Sequence, residues 1–128
     1  MPRALKILVV EDSPAMRQLM TLAVRKRPNV DVQEAADGLA ALKLLAAAQF
    51  DLVFVDLNMP ILDGMKLIKR MRESETTLGT PRVRVAVVTT ESSQATEDQA
   101  RALGADYFLR KPVSRRDIER VLAEAFPG

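Results

Sequence analysis

The feature that most constrains the fold of this chain is a strict alternation of β-type and helical segments. The β-type runs are short and rich in Val, Ile and Leu, whereas the segments between them repeat apolar residues at helical spacing. Strands are predicted over 4–10, 30–35, 51–55, 83–88 and 106–110, and helices over 13–27, 37–49, 63–74, 92–104 and 114–126. This alternation predicts a doubly wound α/β fold with five parallel strands and helices on both faces. A single domain over 1–128 is expected at this length.

Two missing residue types exclude several classes of function. The chain has no Cys and no His, which excludes disulfides, thiolate metal sites, Ser-His triads and most zinc sites. The net charge of +2 is too small to argue for a nucleic-acid partner. No apolar run approaches the roughly 18 residues of a membrane span. A soluble, cytoplasmic protein without nucleic-acid or membrane partners is therefore expected.

Polar and charged side chains occur where four of the predicted strands end. They are Glu11 and Asp12 after the first strand, Asp56 after the third, Thr89 and Thr90 after the fourth, and Lys111 after the fifth. Ligands of an open α/β sheet bind beyond these carboxyl ends. Clustered carboxylates repel one another unless a cation lies among them, and an oxygen-only ligand set selects a hard cation. The pattern therefore predicts a Mg²⁺ site.

A carboxylate beside Mg²⁺ is also a candidate nucleophile towards phosphorus, so Asp56 is a candidate for an aspartyl phosphate. Lys111 could pair with a phosphoryl oxygen, and a Thr hydroxyl could hydrogen-bond to another. Together these residues predict a phosphoryl-accepting site. Taken singly, each keeps an ordinary alternative: a turn acid at Asp56, a helix cap at 11–12, a strand end at Thr89 and a loop lysine at Lys111.

Four motifs closely resemble the receiver domains of two-component response regulators. They are "VVEDS" (9–13), "VDLNMPILDG" (55–64), "VVTTE" (87–91) and "GADYFLRKP" (104–112). The resemblance spans essentially the whole chain. It implies a flavodoxin-like sheet with strand order 2-1-3-4-5, which the alternation alone does not fix. It also implies a stand-alone receiver of the chemotaxis or phosphorelay type, because no output domain follows the fifth predicted helix.

The resemblance assigns roles at the strand ends. Asp56 would accept a phosphoryl group from a phosphohistidine on a histidine kinase or phosphotransfer protein. Asp12 and Asp56 would bind Mg²⁺ directly, Glu11 would bind it directly or through a water, and the backbone carbonyl of Asn58 would complete the protein ligands. Lys111 would contact the phosphoryl group, and family members often have a cis peptide bond between this lysine and the next proline.

The resemblance also implies a switch made by Thr89 and Phe108. Phosphorylation would draw the Thr89 hydroxyl towards the phosphoryl group, and Phe108 would fill the vacated space. The family often has Tyr at the position of Phe108, and strand alternation places the neighbouring Tyr107 on the opposite face. The fourth helix, fifth strand and fifth helix would then change shape and regulate a downstream protein. Basic residues from 110 to 120 could present a positive face to an acidic partner, and Phe108 as plain packing stays open.

Two other functions compete with this switch. A degenerate receiver would act as an interaction module that does not depend on phosphorylation. A Mg²⁺-dependent phosphohydrolase would use an aspartyl phosphate, but the position two residues after its nucleophile is Asn58, which cannot shuttle a proton. The interpretation favoured here is a switch that is not an enzyme, beyond catalysing its own phosphorylation and dephosphorylation.

Overall fold

The computed structural model describes residues 3–91 and 93–127. Its strands are β1 Leu5–Val10, β2 Val30–Ala35, β3 Leu52–Asp56, β4 Arg84–Thr89 and β5 Tyr107–Arg110. Its helices are α1 Pro14–Arg25, α2 Gly38–Ala47, α3 Gly64–Leu78, α4 Gln94–Leu103 and α5 Arg115–Ala125. The strands form one parallel sheet in the order β2-β1-β3-β4-β5. The predicted fold class and strand order are confirmed.

The sheet separates two apolar layers, because successive strand residues point to opposite faces. Ile7 and Val9 of β1 pack with α1 and α5. Leu8 and Val10 pack with α2, α3 and α4. The central strand β3 is buried along its whole length, as a parallel strand covered on both faces should be. Packing in these two layers fixes the positions of the strand ends relative to one another at each edge of the sheet.

Side-chain caps fix where the helices begin, and hence where the loops at the carboxyl ends of the strands run. The N-cap side chains of α1 to α5 are Ser13, Asp37, Asp63, Ser93 and Ser114, and each accepts a hydrogen bond from a backbone N–H in the first turn. Such caps satisfy N–H groups that a helix leaves without partners. Asp63 therefore caps α3, as Ser13 caps α1. Glu11, Asp12 and Asp56 are not the N-caps of these helices. Ser92, which the sequence places in the fourth helix, lies outside the described residues.

Helix α3 extends about one turn beyond its predicted end at residue 74. Arg72 Nη1 lies 2.8 Å from Glu75 Oε1, and the Thr76 hydroxyl donates to the Arg72 carbonyl at 3.1 Å. Gly79 then ends the helix in the left-handed conformation, with φ of 67°, which Gly adopts without strain. The spacing of apolar residues did not predict this turn, because most of its residues are polar.

Among residues 3–91 and 93–127, no helix combines the length and the apolar character that crossing a bilayer requires.

Candidate functional site

The acids of the first and third strands meet because of the sheet register. Val10 of β1 lies opposite Val55 of β3, so Glu11 and Asp56, the next residues of the two strands, lie side by side. Glu11 is fully buried, Asp56 is 2% exposed, and Asp12 is exposed. The three carboxylate groups have oxygens within 4.8 Å of one another. The structure therefore brings the three predicted acids into one cluster.

The loop after β3 is held tightly against this cluster. Asp56 Oδ1 accepts a hydrogen bond from the Asn58 N–H at 3.0 Å, which fixes the carboxylate over its own loop. A Cβ at Gly64 would lie 2.5 Å from the Asp56 carbonyl oxygen. Only Gly therefore lets the first turn of α3 pack this closely on the end of β3. Asn58 itself is exposed at the edge of the site.

Lys111 reaches the cluster from the end of β5. Its N–H donates to the Thr89 carbonyl at 2.8 Å, and its peptide bond to Pro112 is cis. Lys111 Nζ lies 2.8 Å from Glu11 Oε1 and 3.1 Å from Asp56 Oδ2. One ammonium group thus contacts two of the three carboxylates, and the cluster holds more negative than positive charge.

This shortage of positive charge affects the pKa values of Glu11 and Lys111. Burial raises the pKa of Glu11, and the nearby Asp12 and Asp56 add to the rise. The Lys111 ammonium and the Ser13 N–H, which lies 3.1 Å from Glu11 Oε2, only partly oppose it. Burial lowers the pKa of Lys111, but hydrogen bonds and attraction to Glu11 and Asp56 outweigh burial, so its pKa lies above the usual value. Lys111 is therefore charged at neutral pH.

The donor atoms fit a hard divalent cation. Glu11 Oε1 is buried, and its partner among the described residues is Lys111 Nζ at 2.8 Å, an ammonium group that Asp56 Oδ2 shares. The chain has no His or Cys, so only oxygen ligands are available, as Mg²⁺ prefers. An added cation would offset the repulsion among the three acids.

Comparison with known proteins agrees with this geometry. The sequence model of the family described as the response regulator receiver domain matches residues 7–123. The chain belongs to this family. Chemotaxis protein CheY-3 of Vibrio cholerae is 32% identical over 122 residues, which cover 95% of this chain and 92% of that protein.

Two solved structures show the same likeness. The receiver domain of the putative response regulator NarL from Mycobacterium tuberculosis has a TM-score of 0.85 and 31% identity, and the match covers 99% of this chain and 100% of that one. Chemotaxis protein CheY4 of Vibrio cholerae has a TM-score of 0.84 and 30% identity, with 96% and 99% covered. Family membership and fold thus rest on matches over nearly the whole receiver domain.

The residues predicted to switch this receiver lie on β4 and β5. Thr89 is fully buried at the end of β4, and its hydroxyl accepts a hydrogen bond from the Glu91 N–H at 3.0 Å. Phe108 packs with the layer of α2, α3 and α4, whereas Tyr107 packs with the layer of α1 and α5. The two aromatic rings therefore lie on opposite faces of the sheet, as predicted, so Tyr107 does not occupy the place of Phe108. Phe108 is half-buried.

Arg17 is a residue of the site that the sequence reasoning missed. Arg17 Nη1 donates to the Glu11 carbonyl at 2.8 Å, and Nε donates to Glu34 Oε1 at 3.0 Å. The guanidinium group thus holds the backbone of the acidic pair from α1 while it is anchored on β2. Its position one turn after the Ser13 cap was the available signal, because the first turn of a helix after a strand faces that strand end.

Proposed function

We propose that this receiver domain is a phosphorylation-dependent switch in which Asp56 accepts a phosphoryl group. The observation that carries the proposal is the pairing of a nearly buried Asp56 carboxylate with Lys111 Nζ at 3.1 Å, inside a cluster of acids that is short of positive charge. Structural acids normally receive enough partners to be neutralised. A cluster that is left under-neutralised is typical of a functional site.

The phosphoryl donor in this proposal is a phosphohistidine on a histidine kinase or phosphotransfer protein. An oxygen of Asp56 forms a bond to phosphorus while the phosphorus–nitrogen bond breaks, and the electron pair of that bond stays on the imidazole, which takes up a proton. Lys111 then pairs with a phosphoryl oxygen, because its ammonium group already lies against Asp56 Oδ2. The positive charge of Lys111 thereby stabilises the transferred group.

The same proposal assigns a Mg²⁺ ion to the acidic cluster. Glu11, Asp12, Asp56 and the backbone carbonyl of Asn58 would hold it. When bound, Mg²⁺ neutralises negative charge on the transferring phosphoryl group. Three carboxylates within 4.8 Å of one another, with one ammonium group against two of them, support this assignment.

The output of the switch is proposed to run from Thr89 to the surface formed by α4, β5 and α5. The Thr89 oxygen already accepts from the Glu91 N–H, so its own proton remains available for a phosphoryl oxygen. Phe108 is half-buried and could fill the space that Thr89 vacates, but it has no hydroxyl to hold an inward position. Ala100 is the only fully buried residue of α4, so this helix can shift at low cost. A downstream protein that contacts this surface would read the change.

Phosphate uptake tests the proposal directly. The wild type should become labelled from radioactive acetyl phosphate or phosphoramidate only when Mg²⁺ is present, and Asp56→Asn should lose more than about 95% of the label, because an amide cannot act as the acceptor. Asp63→Asn is the matched control, since Asn caps a helix about as well as Asp and Asp63 caps α3. Equal labelling of wild type and Asp56→Asn would show that the acceptor is another residue.

A structural measurement tests the output. Beryllofluoride with Mg²⁺ should move the amide resonances of α4, β5 and α5 in the wild type and leave those of Asp56→Asn in place. Labelling of Asp56 without any such shift would separate phosphorylation from switching, and would favour the alternative that this surface does not transmit the signal.

A further inference from the structure

A groove runs between α2 and α3, from the carboxyl ends of the two helices to the first turn of α3. It consists of a cavity of about 500 Å³ and a shallower one of about 630 Å³, which share Leu42, Arg70 and Ser74. Phe50 and Met71 lie in the deeper part. No residue of the acidic cluster lines either cavity. The groove therefore shares no residue with the acidic cluster, and only Lys66 at its mouth also lines the cavity beside Asn58.

Helix α2 has an apolar outer surface, which is unusual for a helix at the surface of a domain. Its sequence GLAALKLLAA contains one charged residue, Lys43. Leu39 is 47% exposed, and Leu42 and Leu45 are only half-buried. A helix that covers one face of a sheet normally presents polar residues to solvent, and one that is apolar all round is normally covered on every side. The surface of α2 beside the groove is thus typical of a binding site.

The extra turn of α3 supplies the other apolar rim. Leu78 lies in that turn, lines the deeper cavity and is 69% exposed. The carboxylate of Glu75, in the same turn, is already occupied by Arg72 at 2.8 Å and by the Val83 N–H at 2.8 Å. The acid therefore adds little free negative charge to the groove, and the rim stays apolar.

The shallower cavity is lined by cations that have no partner. Lys66, Lys69 and Arg70 are exposed there, and none of them forms an ion pair within the described part of the chain. Glu73 is the single acid of that lining. An apolar floor that continues into a positive mouth is complementary to a segment that carries apolar residues on one side and acids on the other.

We propose that this groove binds an acidic amphipathic helix of a partner protein. Leu or Phe side chains spaced three and four residues apart would enter the apolar part, and Asp or Glu would pair with Lys66, Lys69 and Arg70. A second copy of this chain is a poorer occupant, because a two-fold contact would bring the same three cations against each other. A membrane surface is also a poorer occupant, because the site is concave.

The proposal does not depend on phosphorylation. The groove contains neither Asp56 nor Lys111, so helix binding should persist in Asp56→Asn and should change less than about twofold on addition of beryllofluoride and Mg²⁺. Failure of the groove proposal and failure of the proposed switch are thus separate results: the first appears in peptide binding and the second in phosphate labelling.

The test uses the full chain as bait for a phage-displayed library of helical peptides of about 14 residues, four turns long. Peptides retained by the wild type should be acidic, with Leu or Phe at helical spacing. Their affinity should fall at least tenfold for Lys69→Glu/Arg70→Glu and less than about twofold for Arg115→Glu/Arg116→Glu. The second variant makes the same change in charge on the distant α5. Both pairs of residues are exposed, so both variants should fold.

Two further measurements complete the design. Resonance shifts caused by a selected peptide should lie in α2 and α3, and replacing its acids with Lys should restore binding to Lys69→Glu/Arg70→Glu. Four results would each overturn the proposal: selected peptides that are not acidic, equal losses in the two variants, shifts confined to α4, β5 and α5, and an absence of any selected peptide. If no peptide binds, two other measurements would assign the groove. Binding to phosphatidylglycerol vesicles that is lost in Lys69→Glu/Arg70→Glu would indicate a membrane. Self-association in sedimentation that is lost in the same variant would indicate a second copy of the chain.

Discussion

The acids at the two edges of the sheet differ in how completely they are paired. The amino edge is where the parallel strands begin, and the carboxyl edge is where they end. At the amino edge, Asp51 accepts hydrogen bonds from both Arg3 terminal nitrogens, at 2.6 and 2.8 Å, and from the Lys6 N–H at 2.8 Å. Asp106 likewise pairs with Arg82 at 2.8 Å and accepts from the Val85 N–H at 2.9 Å. These carboxylates each have a guanidinium group and a backbone N–H. They hold strand starts in place.

At the carboxyl edge, by contrast, Glu11 and Asp56 share the ammonium group of Lys111, and Asp12 lies beside them. The pKa values of Asp51 at the amino edge and Glu11 at the carboxyl edge shift in opposite directions. The Arg3 guanidinium and the Lys6 N–H lower the pKa of Asp51 against an opposing effect of burial, whereas burial raises the pKa of Glu11. Acids at the amino edge are fully paired, whereas those at the carboxyl edge are not, as expected of the cation and phosphoryl site proposed above.

The largest effect on stability should come from removing the shared cation. Lys111→Met leaves Glu11 and Asp56 buried without their counter-charge, and should lower the free energy of unfolding by about 3 kcal/mol at neutral pH. Urea denaturation measures it. Lys69→Met is the control, because Lys69 is exposed and has no ion pair among the described residues, and should change stability by less than about 0.5 kcal/mol. Equal effects of the two substitutions would mean that solvent already screens the acidic cluster.

A smaller loss is expected at the amino edge. Asp51→Asn should cost about 1 kcal/mol at pH 7, because it removes the charge that pairs with the Arg3 guanidinium and strengthens the hydrogen bond from the Lys6 N–H. The loss stays small because the Arg3 side chain is exposed and solvent screens the pair. The folded state lowers the pKa of Asp51. Its contribution is therefore complete above the unfolded pKa of about 4 and is lost as the pH falls through the lower folded value.

Urea denaturation of the wild type and Asp51→Asn should therefore converge as the pH falls below about 4. A difference between the two that grows in acid would contradict the direction of the shift, and with it the idea that the amino edge stabilises its acids.

The opposite sign is expected for an acid of the carboxyl edge. Glu11→Gln should raise the free energy of unfolding by about 1 kcal/mol at pH 7, because burial disfavours the charged form of Glu11. The same variant should gain less thermal stability from added MgCl₂ than the wild type, since one oxygen ligand is replaced. Thermal denaturation with and without MgCl₂ measures both effects. A loss of stability like that of Asp51→Asn would remove the contrast between the edges.

The sequence predicted the carboxyl edge better than the amino edge, for a physical reason. Parallel strands carry every residue that follows a strand to one edge, so Glu11, Asp56 and Lys111 could be grouped without knowing their contacts. Partners at the amino edge join distant loops through long side chains. Arg3 meets Asp51, and such pairs leave no periodic pattern.

Two other features escaped prediction for related reasons. Arg17 reaches the Glu11 carbonyl; its position one turn after the Ser13 cap indicates that it faces the strand end, but not which backbone group it contacts. The groove beside α2 depends on the extra turn of α3, which the polar sequence before Gly79 concealed. In both cases the missing information was tertiary contact and not local propensity.

The smallest predicted effect concerns backbone strain, which also differs between the edges. Among the described residues, positive φ occurs at the amino edge in Asn29, Gly79 and Gly104, and at the carboxyl edge in Ile61, with φ of 71°. Asn and Gly tolerate this conformation, whereas a β-branched residue does not. The Leu62 N–H donates to the Pro60 carbonyl at 2.8 Å, so Ile61 lies at the centre of a tight three-residue turn in the loop that follows Asp56, the proposed phosphorylation site.

Ile61→Asn should therefore raise the free energy of unfolding by about 0.5 kcal/mol, and little apolar burial is lost because Ile61 is 76% exposed. Leu78→Asn is the control: Leu78 is 69% exposed but helical, so it has no strain to relieve and should show no gain. Urea denaturation compares the two. A gain in Ile61→Asn together with slower phosphate uptake would indicate that the strained turn serves the site, as the contrast between the edges suggests. No gain would mean that the strain is absent in solution and that the two edges differ in charge alone.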